Sequence, residues 1–355
     1  MKKFFVSFAL LVATSAMGVF AQNSLVATLN HNDTIKVYYG SNALKNAHSA
    51  AVDGDVITLS SGTFLATDIT KGITLRGAGA WPDTVAKRQP TVITGDIKIG
   101  SEKKGVNNLT IEGIYHNHTI TFDGTSNNTY LLKSRFKTIR VDEGGEAGVL
   151  NNATVVHCSI TASIVCREST INFMNCVIST PNNSYHNQKG AMGFNNCVIW
   201  NFRGDFVNAS TFTNSVIYQG ITASGYSTIY SELSSSCMAY NCVNPNKVSD
   251  SKRYLFTNIP NSTNVYSTSD VVFKTYRGTD LAKCDTETFE LTDSAKTTFL
   301  GVDGTQVGIY GGSFPFDRTV TVPQITKFEV AKQSTSDGKL NVNIEVNAAA
   351  EEPKK

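Results

Sequence analysis

Apolar residues along most of the chain come in short runs that alternate with polar residues and end at Asn, Gly or Ser. This alternation is typical of β-strands joined by turns. The clearest runs are VITL (56–59), ITLRG (73–77), IKIG (97–100), LTIEGI (109–114) and TITFDG (119–124). Helical periodicity occurs once, over residues 43–51, where Ala and Leu recur at helical intervals. The pattern therefore predicts an all-β chain with one short helix ahead of most of its strands.

A motif of eight residues recurs within this alternation. It reads FMNCVIST at 173–180, FNNCVIWN at 194–201 and FTNSVIYQ at 212–219. Small residues fill its fourth position elsewhere in the chain too, and they define one column. The column comprises Ser134, Cys158, Cys176, Cys197, Ser215 and Cys242. Successive members are 18 to 27 residues apart, and periods of this size indicate a solenoid whose insertions lie in loops.

Two apolar columns and one polar column accompany the Cys/Ser column. The apolar columns are Leu131, Val155, Phe173, Phe194, Phe212 and Ala239, and Phe136, Ile160, Ile178, Ile199 and Ile217. Equivalent residues are expected to stack about 4.8 Å apart inside the solenoid, with the cysteines buried and free. The polar column is Lys133, His157, Asn175, Asn196, Asn214 and Asn241. Asn tolerates left-handed backbone, so this column is expected to form the turns.

The N-terminal part of this pattern resembles a known family. ALKNAHSAAVDGDVITLSSGTF (43–64) and KGITLRGAG (71–79) resemble the capped first coil and the second coil of right-handed parallel β-helix proteins, the pectin-lyase-like superfold. The resemblance covers about residues 35–315 and implies an all-β, single-stranded right-handed parallel β-helix with an N-terminal cap helix. GTQVGIYGGSFPF (304–316) resembles a closing segment of exported β-helix proteins from Gram-negative bacteria. The superfold carries lyases, hydrolases, esterases, adhesins and tailspikes, so the resemblance names no activity.

The two ends of the chain predict further parts. Lys2 and Lys3, an apolar run to Val12 and a small residue at Ala21 are typical of a secretory signal peptide over 1–21. The β-helix is then expected over 22–318. Strict alternation on both sides of STSDG predicts a C-terminal β-hairpin within 319–349, which either covers the end of the solenoid or attaches it to a cell surface. Residues 350–355 are expected to be disordered.

Composition and charge narrow the range of partners. A net charge of +2 with 17% charged residues gives no reason to expect nucleic acid as a partner. No stretch after the leader is long and apolar enough for a membrane span. The seven cysteines form no CxxC pair, so a zinc site is not expected. The expected location is secreted, periplasmic or on the cell surface.

Two aromatic residues are candidates for ligand binding. Trp200 and Tyr218 follow the repeated motif in adjacent coils and are expected to point outward. Such rings can bind the apolar faces of sugars. The alternative is that a loop or the C-terminal hairpin packs over them.

Catalytic candidates are confined to residues 135–168. The aspartate and Arg-x-Lys motifs of polygalacturonases are missing, whereas Arg140, Asp142, Glu143 and Glu168, beside Arg135 and Arg167, resemble the arginine and calcium-binding acids of pectate lyases. A solvated Gly-rich turn explains the same residues equally simply. No catalytic residue and no cofactor is therefore assigned, and calcium is expected only if the protein is a lyase. The leading hypothesis is an exported, non-catalytic protein that binds a polysaccharide or another envelope component. The alternatives are a polysaccharide lyase or other enzyme acting on acidic glycans, and an adhesin or assembly subunit.

Overall fold

The fold is a β-solenoid of about seven turns, built from parallel sheets. It is seen in a computed structural model, which describes the greater part of the chain. The described residues are 25–82, 88–141, 148–166, 168–179, 181–182, 190–202, 210–219, 221–224, 227–230, 233, 235–245, 255–259, 263–267, 272–275, 287–319, 324–330, 337–339 and 342–347. The predicted signal peptide and the predicted disordered tail lie outside them.

The described residues form short strands and two helices. The helices are α1 (Ala43–Ala50) and α2 (Asp293–Thr298). The first strands are β1 (Val26–His31), β2 (Thr34–Tyr39), β3 (Val56–Leu59), β4 (Gly62–Leu65), β5 (Thr74–Arg76), β6 (Thr91–Thr94), β7 (Ile97–Ile99), β8 (Thr110–Glu112), β9 (Ile114–Phe122) and β10 (Thr125–Asn127). They are followed by β11 (Tyr130–Leu132), β12 (Arg135–Val141), β13 (Val149–Asn151), β14 (Ala153–Val156), β15 (Ser159–Cys166), β16 (Thr170–Met174), β17 (Val177–Ile178), β18 (Pro181–Asn182), β19 (Ala191–Asn195) and β20 (Val198–Phe202). The last are β21 (Thr211–Thr213), β22 (Val216–Gln219), β23 (Ile221–Ser224), β24 (Ser227–Tyr230), β25 (Met238–Tyr240), β26 (Val243–Asn244), β27 (Val265–Tyr266), β28 (Gln324–Val330) and β29 (Val342–Asn347).

Two long sheets run along the solenoid. The first sheet has the strand order β2-β1-β3-β5-β8-β11-β14-β16-β19-β21-β25, and it is parallel from β3 onward. The second sheet has the order β27-β26-β22-β20-β17-β15-β12-β9-β6-β4. Each coil thus contributes one strand to each sheet, which confirms the predicted solenoid.

The core lies between the two sheets and consists of the predicted ladders. Phe173, Phe194 and Phe212 occupy one register, and their neighbouring rings are parallel with centroids 5.0 and 4.8 Å apart. Ile178, Ile199 and Ile217 form the matching ladder on the second sheet. The coil repeat brings identical side chains into contact, so the period of the sequence determines how side chains stack in the core.

A column of residues with positive φ turns the chain from the first sheet into the second. The angles lie between 47° and 53° for Lys133, His157, Asn175, Asn196, Asn214 and Asn241. This confirms the predicted turns, because Asn enters the left-handed region at a smaller cost than most residues.

The ends of the fold also agree with the predicted elements. Helix α1 buries Ala43, Leu44 and Ala47 against the N-terminal end of the core. Strands β28 and β29 pair antiparallel, as expected for the C-terminal hairpin. The residues 331–336 within this hairpin lie outside the described part.

Candidate functional site

The Cys/Ser column is structural, since it satisfies backbone groups inside the core. Each thiol or hydroxyl donates to the carbonyl two residues before it, as Cys197 does to Asn195 at 3.3 Å and Ser215 to Thr213 at 2.9 Å. Burial raises the pKa of the Cys197 thiol well above its usual value and that of Cys242 to about 12. These thiols stay protonated and shielded, so they are poor nucleophiles. Cys176, Cys197 and Cys242 are buried free thiols.

Trp200 and Tyr218 do not form an open platform. Their rings stack with centroids 4.0 Å apart, but Trp200 is only 1% exposed and Tyr218 only 7%. Phe273 and Phe289 pack over them, with the Phe289 centroid 5.5 Å from that of Trp200. The predicted outward direction of the two rings therefore leads into a second apolar cluster. A sugar has no access to their faces in this arrangement.

The chain that covers this cluster ends in a segment that we call the strap, residues 300–319. The strap runs back along the turn column, opposite to the order of the coils. Asn241 Nδ2 donates to the Leu300 carbonyl at 3.0 Å, and Asn175 Nδ2 donates to the carbonyls of Ile309 and Gly311, both at 2.8 Å. The turn residues thus have a second role, which is to bind the backbone of the strap.

Beyond Asn175 the strap contacts the two members of the turn column that are not asparagine. The sequence alone does not explain why these two positions differ. The Phe314 carbonyl lies 3.0 Å from His157 Nε2. Lys133 Nζ donates to the Thr319 carbonyl at 2.7 Å and lies 3.3 Å from a carboxylate oxygen of Asp317. His and Lys reach farther than Asn, and both bind this last part of the strap.

Half of the predicted lyase candidates fall outside the described chain. Asp142, Glu143 and Arg167 are not described. Arg140 is exposed on β12, between Thr121 and Val165 of the neighbouring strands, whereas Glu168 lies in the connection that follows β15.

The structure provides no metal site near these candidates within its described part. Arg135 places its guanidinium carbon 4.2 Å from the centroid of the Tyr115 ring, which is a packing contact on the second sheet. Among the described residues, no group of three His, Cys, Asp or Glu side chains is placed to hold a metal ion.

An open groove lies on the outer face of the first sheet, across β16, β19 and β21. It has a volume of about 360 Å³. Its described outward-facing side chains are small, polar or flexible, and none of them is charged. They belong to Thr170, Asn172, Met174, Ala191, Asn195, Thr211 and Thr213.

Gly193 creates the groove. It lies between Asn172 and Thr211 in the register of the sheet. A Cβ at this position would come within 2.7 Å of Asn172 Oδ1, so any side chain would displace the amide and narrow the depression. The backbone at Gly193 is not in the left-handed region. The glycine therefore provides space here and is not needed for conformation.

The next strand of the sheet adds an apolar margin to the groove. Met238 and Tyr240 on β25 pair with Thr211 and Thr213, and their exposed fractions are 47% and 43%. The amides and hydroxyls of the groove make no side-chain hydrogen bonds within the described residues, so their donors and acceptors face solvent. The site thus combines neutral hydrogen-bonding groups with one exposed aromatic ring. This is the combination that a sugar chain requires, because sugars carry hydroxyl groups on apolar rings.

This groove was not predicted from the sequence, although the repeat already defines columns of residues that line it. Met174, Asn195, Thr213 and Tyr240 form one outward column, one position after the apolar ladder that the repeat defines. A second missed feature is the recurring Asn-Asn pair. Its first members form an exposed amide ladder, in which Asn127 donates to Asn107 at 2.7 Å and Asn151 to Asn127 at 3.1 Å.

Comparisons with known proteins add no relative to these observations. No family model matches the sequence, and neither the curated proteins nor the solved structures give a match. Within the described residues, no helix has the length and apolar character that crossing a membrane would need.

Proposed function

We propose that the chain is an exported protein that binds an uncharged glycan in the Gly193 groove without cleaving it. The observation that carries the proposal is the groove itself, in which Asn172, Asn195 and Thr213 present neutral hydrogen-bonding groups beside the exposed ring of Tyr240. A glycan of the cell envelope or of the surroundings is the ligand class that fits an exported protein. The basic, apolar and small residues of the first 21 positions support export.

The neutrality of the groove favours an uncharged ligand. A binding site for an acidic glycan needs Arg or Lys to pair with carboxylates. None of the described side chains that line the groove is charged. Its amides and hydroxyls can both donate and accept, as sugar hydroxyls do. Among the described lining residues there is likewise no carboxylate or arginine to act as acid, base or electrophile, which supports binding without cleavage.

Affinity electrophoresis tests the proposal. The protein is run in native gels that contain one polysaccharide each, from a panel of neutral and acidic glycans. We expect a neutral glycan to retard the native protein. The apparent affinity of Tyr240→Ala for that glycan should be at least tenfold weaker. Leu65→Ala is the matched control, because Leu65 has a similar exposed fraction of 45% but lies on β4, in the second sheet.

Two results would count against the proposal. One is retention by acidic glycans alone, since the groove has no cation to pair with them. The other is equal retention of Tyr240→Ala and the native protein, since Tyr240 supplies the aromatic face of the site.

A further inference from the structure

The N-terminal end of the first sheet is an open edge. Strand β2 is the terminal strand, and among the described residues its sheet partner is β1. Three of its side chains are apolar and largely exposed, with exposed fractions of 64% for Ile35, 45% for Val37 and 67% for Tyr39. An edge of this kind is a template for pairing with another strand. Native proteins usually protect such edges with charges or proline, and β2 carries one charged residue, Lys36.

The hydrogen-bond pattern decides which backbone groups face this edge. Gly40 N donates to the Leu25 carbonyl at 2.9 Å, so this pair is hydrogen-bonded. Hydrogen-bonded pairs alternate along an antiparallel ladder, so Tyr38 and Lys36 also bond to β1. The N–H and C=O groups of Ile35, Val37 and Tyr39 therefore point away from β1. The residues with exposed apolar side chains are the same residues that offer free backbone groups.

From this coincidence we infer that two copies of the chain associate through antiparallel pairing of β2 with β2 about a twofold axis at Val37. In this register Val37 pairs with Val37 of the second copy, and Ile35 pairs with Tyr39 of the second copy. The three pairs form two hydrogen bonds each. The six apolar side chains lie on one face of the joined sheet, as neighbours across the strands.

The position of Lys36 disfavours the neighbouring register toward the N-terminus of β2. Only registers that pair odd-numbered with odd-numbered residues join the free backbone groups. Shifting the pairing by two residues toward the N-terminus of β2 would place Lys36 opposite Lys36 of the second copy, and like charges directly opposite each other are destabilising. In the inferred register Lys36 lies opposite Tyr38, which is neutral. The strand is thus self-complementary, as a twofold interface requires.

The interface leaves the glycan groove open. Strand β2 stands at one end of the first sheet, and β25, beside the groove, stands at the other. The joined sheet would run through both copies, with a groove near each outer end. The dimer and glycan binding can therefore be tested separately.

Light scattering coupled to gel filtration tests the association with the full chain over a range of concentrations. We expect a mass that approaches twice that of one chain as concentration rises. Val37→Lys should weaken the association at least tenfold, because it places two lysines opposite each other at the axis. Val302→Lys makes the same change at a valine that is 68% exposed outside β2, and should leave the mass unchanged. A native chain that remains a monomer, or a Val37→Lys variant that remains a dimer, would overturn the inference.

Amide hydrogen exchange provides a second measurement that needs no variant. The amides of Ile35, Val37 and Tyr39 should become protected as concentration rises. The amides of Lys36 and Tyr38, which already bond to β1, should be protected at every concentration. Exchange at the first three amides that does not depend on concentration would contradict the pairing even if Val37→Lys fails to fold.

Discussion

Asn175 provides the sharpest test of how the strap is held. Its side chain is 4% exposed, its φ is 49°, and its amide donates to the carbonyls of Ile309 and Gly311 at 2.8 Å each. Asn175→Gly removes both bonds and keeps the turn, because glycine adopts positive φ freely. Losing a donor to a carbonyl that stays buried costs about 1–3 kcal/mol. Because two carbonyls lose their donor, we expect Asn175→Gly to lower the free energy of unfolding by about 2–6 kcal/mol.

Asn175→Ala separates the backbone contribution from the strap contribution. It removes the same two bonds and also forces a residue with a Cβ into the left-handed region. That conformation costs about 1–2 kcal/mol, so Asn175→Ala should be less stable than Asn175→Gly by this amount.

Asn152 is the matched control. Its φ is 55°, but it is exposed and its amide donates to Asn128 Oδ1 at 3.0 Å, with no contact to the strap. Asn152→Gly should cost less than about 1 kcal/mol, because an exposed amide can bond to water instead. Asn152→Ala should add the same backbone cost as at Asn175.

Urea unfolding monitored by tryptophan fluorescence is the assay. Both tryptophans report on the covering chain, since Trp81 contacts Phe316 and Trp200 contacts Phe289. Release of the strap should shift their emission to longer wavelength. If Asn175→Gly and Asn152→Gly lower the free energy of unfolding by the same amount, the amides of the turn column do not hold the strap.

Three further predictions concern other parts of the molecule. Trp200→Ala should lower the free energy of unfolding by about 3–5 kcal/mol and leave glycan retention unchanged. Lost retention at unchanged stability would instead show that Trp200 binds the ligand. Burial lowers the pKa of His116, whose Nε2 donates to the Gly95 carbonyl at 2.8 Å, below 6.5. The unfolded chain then binds the proton more readily, so the free energy of unfolding should fall as the pH drops below about 6.5. His116→Leu should reduce this dependence on pH more than His118→Gln, which changes an exposed neighbour. Finally, acidic polysaccharides with calcium should give no absorbance from unsaturated products, and an absorbance increase that Arg140→Ala abolishes would establish the lyase alternative instead.

The sequence predicts the coils because each one repeats the same positions. Phe194, Asn196 and Ile199 recur with their neighbours at every coil, so their inward or turn positions follow from alternation alone. Helix α1 and the C-terminal hairpin follow from local periodicity in the same way.

No repeat in the sequence encodes the contacts between the coils and segments that are far away along the chain. Asn175 binds Ile309, which is 134 residues away, through a backbone carbonyl that every residue possesses. The sequence therefore shows that Trp200 leaves the core but not that Phe289 covers it. The groove depends on the missing side chain of Gly193 between two particular neighbours, and this becomes visible only when the register of the sheet is known.

Titration calorimetry of Gly193→Val with the glycan that the native protein retains measures whether the groove binds that glycan. Valine suits a strand, narrows the groove and adds no charge, and the backbone conformation at this position does not require glycine. We expect at least tenfold weaker binding with an unchanged melting temperature. Equal affinity of Gly193→Val and the native protein would show that the glycan binds elsewhere.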